Sequence, residues 1–157
     1  MATFYGIESS KPNASIPQLE SQGVLGGVVK ASYDKYTSAG AIAINSIIKM
    51  GKLPFGARVV GYWLKSEDLG TAGTMELGHS ASVEVDTAGS PLVAASASAF
   101  LAGIVVSAAI TADHANASAA LAGLGKSFGG SVDIELKASV ATTLAGSIET
   151  CVYYVID

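Results

Sequence analysis

The segment VDIELKASV, at residues 132–140, alternates apolar and polar side chains with a period of two. Successive side chains of a β-strand point to opposite faces of the sheet, so this pattern indicates a half-buried strand. The rest of the chain must then supply an apolar layer against the inward face. The pattern predicts Val132, Ile134, Leu136, Ala138 and Val140 facing inward, and Asp133, Glu135 and Lys137 facing outward.

Two segments earlier in the chain also carry strand signals. Residues 28–36 alternate, with Val29, Ala31 and Tyr33 on the apolar face of a half-buried strand. Residues 41–50 are rich in β-branched side chains, which favour strands. Gly51 and the Leu-Pro-Phe-Gly group at residues 53–56 then predict a turn, because proline sets φ and glycine can adopt a positive φ.

The remaining strand signals complete an antiparallel pattern. Residues 57–66 are apolar on both faces, which predicts a central strand. A loop at residues 66–73 leads to a strand at residues 74–79, with Met75 and Leu77 inward. Residues 147–157 are predicted to form a C-terminal hairpin with the strand at residues 132–140.

Helical signals are confined to two short alanine-rich stretches, residues 92–101 and 117–124. Residues 87–112 carry no charge, yet their serine and glycine content and the lack of flanking lysine or arginine argue against a membrane helix. We expect a short helical turn of small residues followed by a buried strand in this stretch. We therefore predict an all-β fold, an antiparallel jelly-roll-like β-sandwich with short helical segments.

The N-terminal residues differ in character from the rest. Residues 1–26 are predicted to form an irregular arm, and residues 27–157 a single β domain. The arm has an apolar tip, so it either docks as a strand on its own domain or contacts a neighbouring subunit, and the second option makes the tip a candidate interface. It lacks a signal-peptide core, so we expect synthesis in the host cytoplasm. The tip consists of Phe4, Tyr5 and Ile7.

Charge and cysteine content exclude several classes of function. The 157 residues carry a net charge of −4 and only 14% charged side chains, against roughly 25% in an average chain. Arg58 is the only arginine, so we expect no nucleic-acid binding. The only cysteine, Cys151, lies in an apolar run and is predicted to be a buried hydrophobe without a disulfide. A surface this low in charge favours association between copies.

No motif supports catalysis, a cofactor or a metal. Residues 120–127 fit a relaxed phosphate-loop pattern, but the strand before it and the helix after it that this chemistry needs are not predicted. His79 and Ser80 are neighbours on a strand and point to opposite faces, so they cannot form a dyad. His114 follows Asp113 in a polar loop, and two histidines without ligand spacing make a weak metal signal. We predict a protein that is not an enzyme, with no catalytic, cofactor-binding or metal residues.

The chain nonetheless resembles a known family. KLPFGARV at residues 52–59, SEDLG at 66–70, TMELG at 74–78 and the alternating end at residues 132–157 look like small tailed-bacteriophage virion structural proteins. The resemblance implies a jelly-roll decoration or cement protein on the outer surface of the capsid. It also implies a homotrimer that binds the major capsid protein, and it supplies no catalytic residues.

Two alternatives remain open. A head-to-tail or tail component would use the same fold. A carbohydrate-binding β-sandwich would need exposed aromatic side chains, whereas Tyr62, Trp63 and Tyr154 lie in apolar strands and are expected in the core.

Overall fold

A computed structural model describes residues 28–113 and 124–156 of the chain. Within these residues the protein forms strands and no helix, in agreement with the all-β prediction. The strands are β1 (Lys30–Ser38), β2 (Ile47–Leu53), β3 (Ala57–Ser66), β4 (Thr74–His79), β5 (Ser96–Val105), β6 (Ile110–Asp113), β7 (Val132–Val140) and β8 (Gly146–Ile156).

The strands form two antiparallel four-stranded sheets. The first sheet has the order β1-β8-β3-β6, and the second has the order β2-β7-β4-β5. Among the described strands, only β4 and β5 are both consecutive in the chain and paired with each other. Every other connection therefore joins one sheet to the other, as in a β-sandwich.

One hydrophobic core draws side chains from both sheets. The ring of Tyr62 on β3 lies 5.4 Å from that of Phe100 on β5, centroid to centroid, so the two sheets meet through aromatic contacts. Leu64 of the first sheet and Leu77 and Leu136 of the second are also fully buried in this core. The prediction of β3 as a central strand is confirmed, since β8 and β6 flank it.

Strand β7 follows the predicted alternation except at its end. The side chains of Val132, Ile134, Leu136 and Ala138 are buried, but Val140 is 41% exposed, so the inward placement of Val140 was wrong. Met75 pairs with Ala138 and Thr74 pairs with Val140, so β7 has one extra residue at this point. Such a bulge reverses the facing of the residues beyond it.

The facing predicted for β1 was also wrong. Tyr33 is 56% exposed, while Tyr36 packs against the core. The register with β8 decides this, because Tyr36 pairs with the fully buried Ile148 and therefore points to the same side. The apolar set of this edge strand consequently lies on the outside of the sandwich.

The predicted C-terminal hairpin does not form. β7 pairs with β2 and β4, whereas β8 pairs with β1 and β3, so residues 141–145 cross between the sheets. The crossing is fixed by hydrogen bonds from Thr142 N to the Ile42 carbonyl and from Leu144 N to the Leu69 carbonyl. β7 and β8 both have an apolar face, and placing them in opposite sheets buries both faces against the shared core.

Two local predictions changed and one held. The strand expected from residue 41 begins at Ile47, and the helix expected at residues 92–101 is replaced by β5. The turn at residues 53–56 is confirmed, with Gly56 at a φ of 76°. No helix in the described ranges is long and apolar enough to cross a bilayer. The second helical stretch, apart from Leu124, and the arm at residues 1–26 lie outside the described residues.

Candidate functional site

Three aromatic side chains gather on the outer face of the first sheet, and we call them the aromatic cluster. Tyr33 on β1 and Trp63 on β3 both pair with Cys151 on β8, which lies between them. Their ring centroids are 6.1 Å apart at an angle of 50°. Trp63 Nε1 donates a hydrogen bond of 3.2 Å to the Tyr153 hydroxyl. Tyr33, Trp63 and Tyr153 therefore form one connected surface.

A bulge in β3 explains why Trp63 faces outward. Val59 pairs with Tyr154 and Gly61 with Tyr153, so Val60 is an additional residue in the strand. The shift places Tyr62 in the core and Trp63 on the outer face. The sequence prediction that both are core residues was right for Tyr62 and wrong for Trp63. In a strand that is apolar on both faces, the sequence does not show which of two adjacent side chains faces outward.

A concave surface adjoins the cluster. Its volume is about 390 Å³, and its lining combines aromatic rings with polar and charged groups. Lys65 pairs with Thr111, and Trp63 pairs with Asp113, so β3 and the edge strand β6 supply the polar part together. The lining residues are Tyr62, Trp63, Lys65, Thr111, Asp113 and Tyr153.

Charges of both signs surround the cluster. Lys35 Nζ lies 3.0 Å from a carboxylate oxygen of Glu149. Glu149 on β8 pairs with Lys35 on β1 and with Lys65 on β3, so it lies between the two lysines. Glu149 raises the pKa of Lys35 through a hydrogen bond and through its charge. The region therefore carries no strong field of a single sign.

Cys151 lies beneath the cluster and is only 4% exposed, which confirms the prediction of a buried side chain. Burial raises the pKa of its thiol. A thiol that stays protonated and covered is a poor nucleophile, so Cys151 serves packing rather than chemistry.

His79 is buried and lies apart from the aromatic cluster, with its side chain facing inward. Its Nε2 lies 2.8 Å from Lys126 Nζ, and its Nδ1 lies 2.9 Å from the Ser80 carbonyl oxygen. A charged lysine can only donate, so Nε2 accepts and Nδ1 donates to the carbonyl. The ring also packs edge-on against Phe128 at 4.9 Å. Burial lowers the pKa of His79, and the Lys126 charge adds to this effect.

His79 and Ser80 do not form a catalytic pair. The Ser80 hydroxyl donates to the Ala81 carbonyl at 2.8 Å and accepts from Asp133 N at 2.9 Å. His79 is already satisfied by Lys126 and by the Ser80 carbonyl. The geometry fits a structural histidine whose polar atoms are paired on both sides.

The described half of the glycine-rich segment at residues 120–127 pairs with β3. Gly125 N donates to the Val59 carbonyl, Val59 N donates to the Lys126 carbonyl, and Ser127 bridges to Arg58. Phosphate loops instead lead into a helix whose free N–H groups face the ligand. Since Gly125 N, and Phe128 N just after the segment, donate to carbonyls of β3, the segment from Leu124 onward does not form a phosphate cradle.

The loop between β4 and β5 forms a small hairpin, residues 80–95, which we call the β4–β5 hairpin. Val85 bridges to Pro91, and Glu84 and Leu92 are joined by a backbone hydrogen bond. Apolar side chains on it are exposed to solvent, with Val83 at 75%. Neighbouring exposed apolar side chains are typical of contact surfaces. Those side chains are Val83, Val85 and Leu92.

Several sequence-predicted residues fall outside the described residues. The candidate interface of Phe4, Tyr5 and Ile7 is among them, as is His114. Within the described ranges, no group of three or more histidine, cysteine, aspartate or glutamate side chains could hold a metal ion.

Comparison with known proteins relates this fold to phage capsids. A chain of the capsid asymmetric unit of cyanophage Pam1 superposes with a TM-score of 0.62 and 22% identity, covering 92% of this chain and 96% of that one. A chain from the capsid of Ralstonia phage GP4 gives a TM-score of 0.64 at 22% identity, covering 94% of each chain. No protein-family model matches the sequence, and no curated protein matches it. The protein therefore shares its fold with chains found in these two capsids.

Proposed function

We propose that this protein is a structural component of a bacteriophage virion that decorates the capsid and stabilises the head. The observation that carries the proposal is the fold similarity to chains of two phage capsids over more than nine-tenths of each chain. The proposed role is contact between proteins and requires no catalytic residue.

The strand order supports a jelly roll, the architecture common among viral capsid domains. In the first sheet β8 lies between β1 and β3, and in the second β7 lies between β2 and β4. The first and last of the described strands thus pair, and the second pairs with the second-last, which is the winding of a folded-over ribbon. We assign the fold to the jelly rolls on this basis.

The stabilising mechanism is mass action. A protein that binds the assembled shell, and not its dissociated subunits, shifts the equilibrium toward the shell. Many symmetric copies allow each contact to be weak. We propose the apolar tip, Phe4, Tyr5 and Ile7, and the β4–β5 hairpin as contact surfaces. The partners would be the major capsid protein on the outer shell surface and further copies of this chain in a homotrimer.

Binding to shells tests the proposal. Purified protein is mixed with empty shells assembled from the major capsid protein of the same phage, and the sedimented fraction and the shell melting temperature are measured. We expect saturable co-sedimentation and a higher shell melting temperature. Val83→Asp should weaken binding, because it places a charge on the exposed hairpin, while Val60→Asp, on a different exposed strand position, controls for added charge. Absence of co-sedimentation would overturn the decoration role.

The alternative virion role is a head-to-tail or tail component. Copy number in purified particles separates the two, because decoration requires hundreds of copies and a connector requires six or twelve. Quantitative mass spectrometry of intact virions, normalised to the major capsid protein, provides this number.

A further inference from the structure

The aromatic cluster lies on the outer face with one exposed ring, Tyr33, and two half-buried ones, Trp63 and Tyr153, which the packing of the two sheets does not explain. Tyr33 is 56% exposed on an edge strand, and Trp63 is the only tryptophan of the chain. Both lie on the outer face, away from the core that Tyr62 and Phe100 fill. Tyrosine and tryptophan in such positions are enriched at binding sites, because they offer a rigid apolar surface with a polar edge.

The adjoining concave surface has the features of a small-molecule site. Its volume of about 390 Å³ falls in the range of roughly 300–1,000 Å³ that ligand pockets occupy. Trp63 and Tyr153 line it together with Lys65, Thr111 and Asp113, which supply an ammonium, a hydroxyl and a carboxylate. A mostly apolar surface with a few convergent polar groups is what a ligand with one apolar face and polar edges needs.

A pyranose sugar has this division of surface. Its ring C–H groups form an apolar face whose hydrogens are slightly positive, and the π-electron face of an aromatic ring is negative. Its hydroxyl groups lie around the edge, where they can accept from Lys65 and Thr111 and donate to a carboxylate. The tilt of 50° between Tyr33 and Trp63 leaves an open angle between two ring surfaces.

The charges around the site select among sugars. Lys65 on β3 and Asp113 on β6 both line the concave surface, and the nearby Lys35 is paired with Glu149. A site with both signs has no net preference for an anion, so uronic and sialic acids gain little from it. We propose that the aromatic cluster and its concave surface bind a neutral hexopyranose, either free or as a unit of a polysaccharide.

The single tryptophan provides the readout. Because Trp63 lies in the site and no other tryptophan contributes, its fluorescence reports on this surface alone. The full-length protein is titrated with glucose, galactose, mannose and N-acetylglucosamine, and separately with dextran and galactomannan. We expect a saturable change in emission with at least one neutral sugar. Tighter binding of the polymer than of its monomer, per sugar unit, would identify a polysaccharide as the preferred form.

Paired variants test the assignment. Tyr33→Ala and Lys65→Ala should each weaken the sugar response by about tenfold or more. Phe55→Ala and Lys49→Ala remove an exposed aromatic side chain and an exposed lysine from elsewhere on the surface, and they should leave the sugar response unchanged. Circular dichroism of each variant shows that the sheet is intact.

Two results would overturn the proposal. One is no saturable response to any neutral sugar at tens of millimolar. The other is an emission change that follows protein concentration and is insensitive to sugar, which would make the cluster an interface between copies. The sugar proposal and the capsid proposal can fail separately. We expect Tyr33→Ala and Lys65→Ala to lose the sugar response and still co-sediment with shells.

Discussion

Two buried threonines differ in what their hydroxyl groups meet. Thr142 is 2% exposed, and its Oγ1 accepts a hydrogen bond of 2.8 Å from Ile42 N. Thr150 on β8 is fully buried, and its Oγ1 has no hydrogen-bond partner within the described residues. A buried hydroxyl without a partner has lost its hydrogen bonds to water, and no hydrogen bond within the protein offsets that cost in free energy.

Replacing each threonine by valine should therefore change stability in opposite directions. Thr150→Val keeps the shape and removes the unsatisfied hydroxyl, so we expect it to stabilise the protein by about 1 kcal/mol. Thr142→Val leaves the Ile42 N–H unpaired and should destabilise by about 1–3 kcal/mol. Urea denaturation measures both. Destabilisation by Thr150→Val would mean that its hydroxyl is satisfied in solution.

At the scale of elements, irregular pairing between strands determines which side chains face out. The bulge in β3 turns Trp63 to the outer face, and the bulge in β7 exposes Val140. The pairing of β4 with β5 is also irregular, with register shifts on both sides of Leu77. Here β5 crosses so close to Gly78 that a β-carbon on this residue would overlap the backbone of Ser96 and Ala97.

Gly78→Ala should accordingly destabilise the sandwich. The obstacle is backbone and cannot rotate away, so we expect a loss of about 2–3 kcal/mol. Gly40→Ala is the matched control, because nothing lies within 4 Å of the added carbon, and it should change stability by less than about 0.5 kcal/mol. Thermal melting of the two variants measures the difference, and equal melting temperatures would refute the close approach.

The β4–β5 hairpin is attached to the sandwich through a carboxylate. Glu84 accepts hydrogen bonds from Ser131 N at 2.6 Å and Ser131 Oγ at 2.7 Å. These bonds lower the pKa of Glu84, the hydroxyl of Ser131 having the largest effect. Hydrogen bonds from Ser147 lower the pKa of Glu67 in the same way where β8 begins.

The lowered pKa of Glu84 predicts acid sensitivity. Its ordinary value is about 4.3, so the contribution to stability is fully present above that pH and is lost as the pH falls through the lower folded-state value. Glu84→Gln should make the unfolding free energy fall less steeply with decreasing pH below about 4.3. Urea denaturation between about pH 6 and 3 measures this, and Glu76→Gln controls for the removed charge. An unchanged slope in Glu84→Gln would contradict the assignment.

At the scale of the whole molecule, the core that the described residues form lies beyond the arm in the chain. Its residues run from Ile42 to Val152 and come from both sheets. Among the described strands, β1 comes first, begins at Lys30 and lies at an edge of its sheet. Folding and attachment can therefore depend on different parts of the chain.

Deleting residues 1–24 tests that separation. We expect a folded domain whose melting temperature is nearly unchanged, because the core residues remain. Association into a trimer and binding to shells should weaken, because Phe4, Tyr5 and Ile7 are lost. Sedimentation velocity and shell co-sedimentation measure these effects. A truncated protein that fails to fold would mean that the arm belongs to the domain itself.

The sequence by itself determined the all-β class, the central position of β3, the inward faces of β4 and of most of β7, and the burial of Cys151. These follow from local periodicity and apolar content, which a strand carries within its own residues. Tertiary structure alone decided that β7 and β8 lie in different sheets and that Tyr33 and Trp63 face outward. Both depend on which strand is the partner and in which register it pairs. A register shift of one residue turns every side chain beyond it to the opposite face of the sheet.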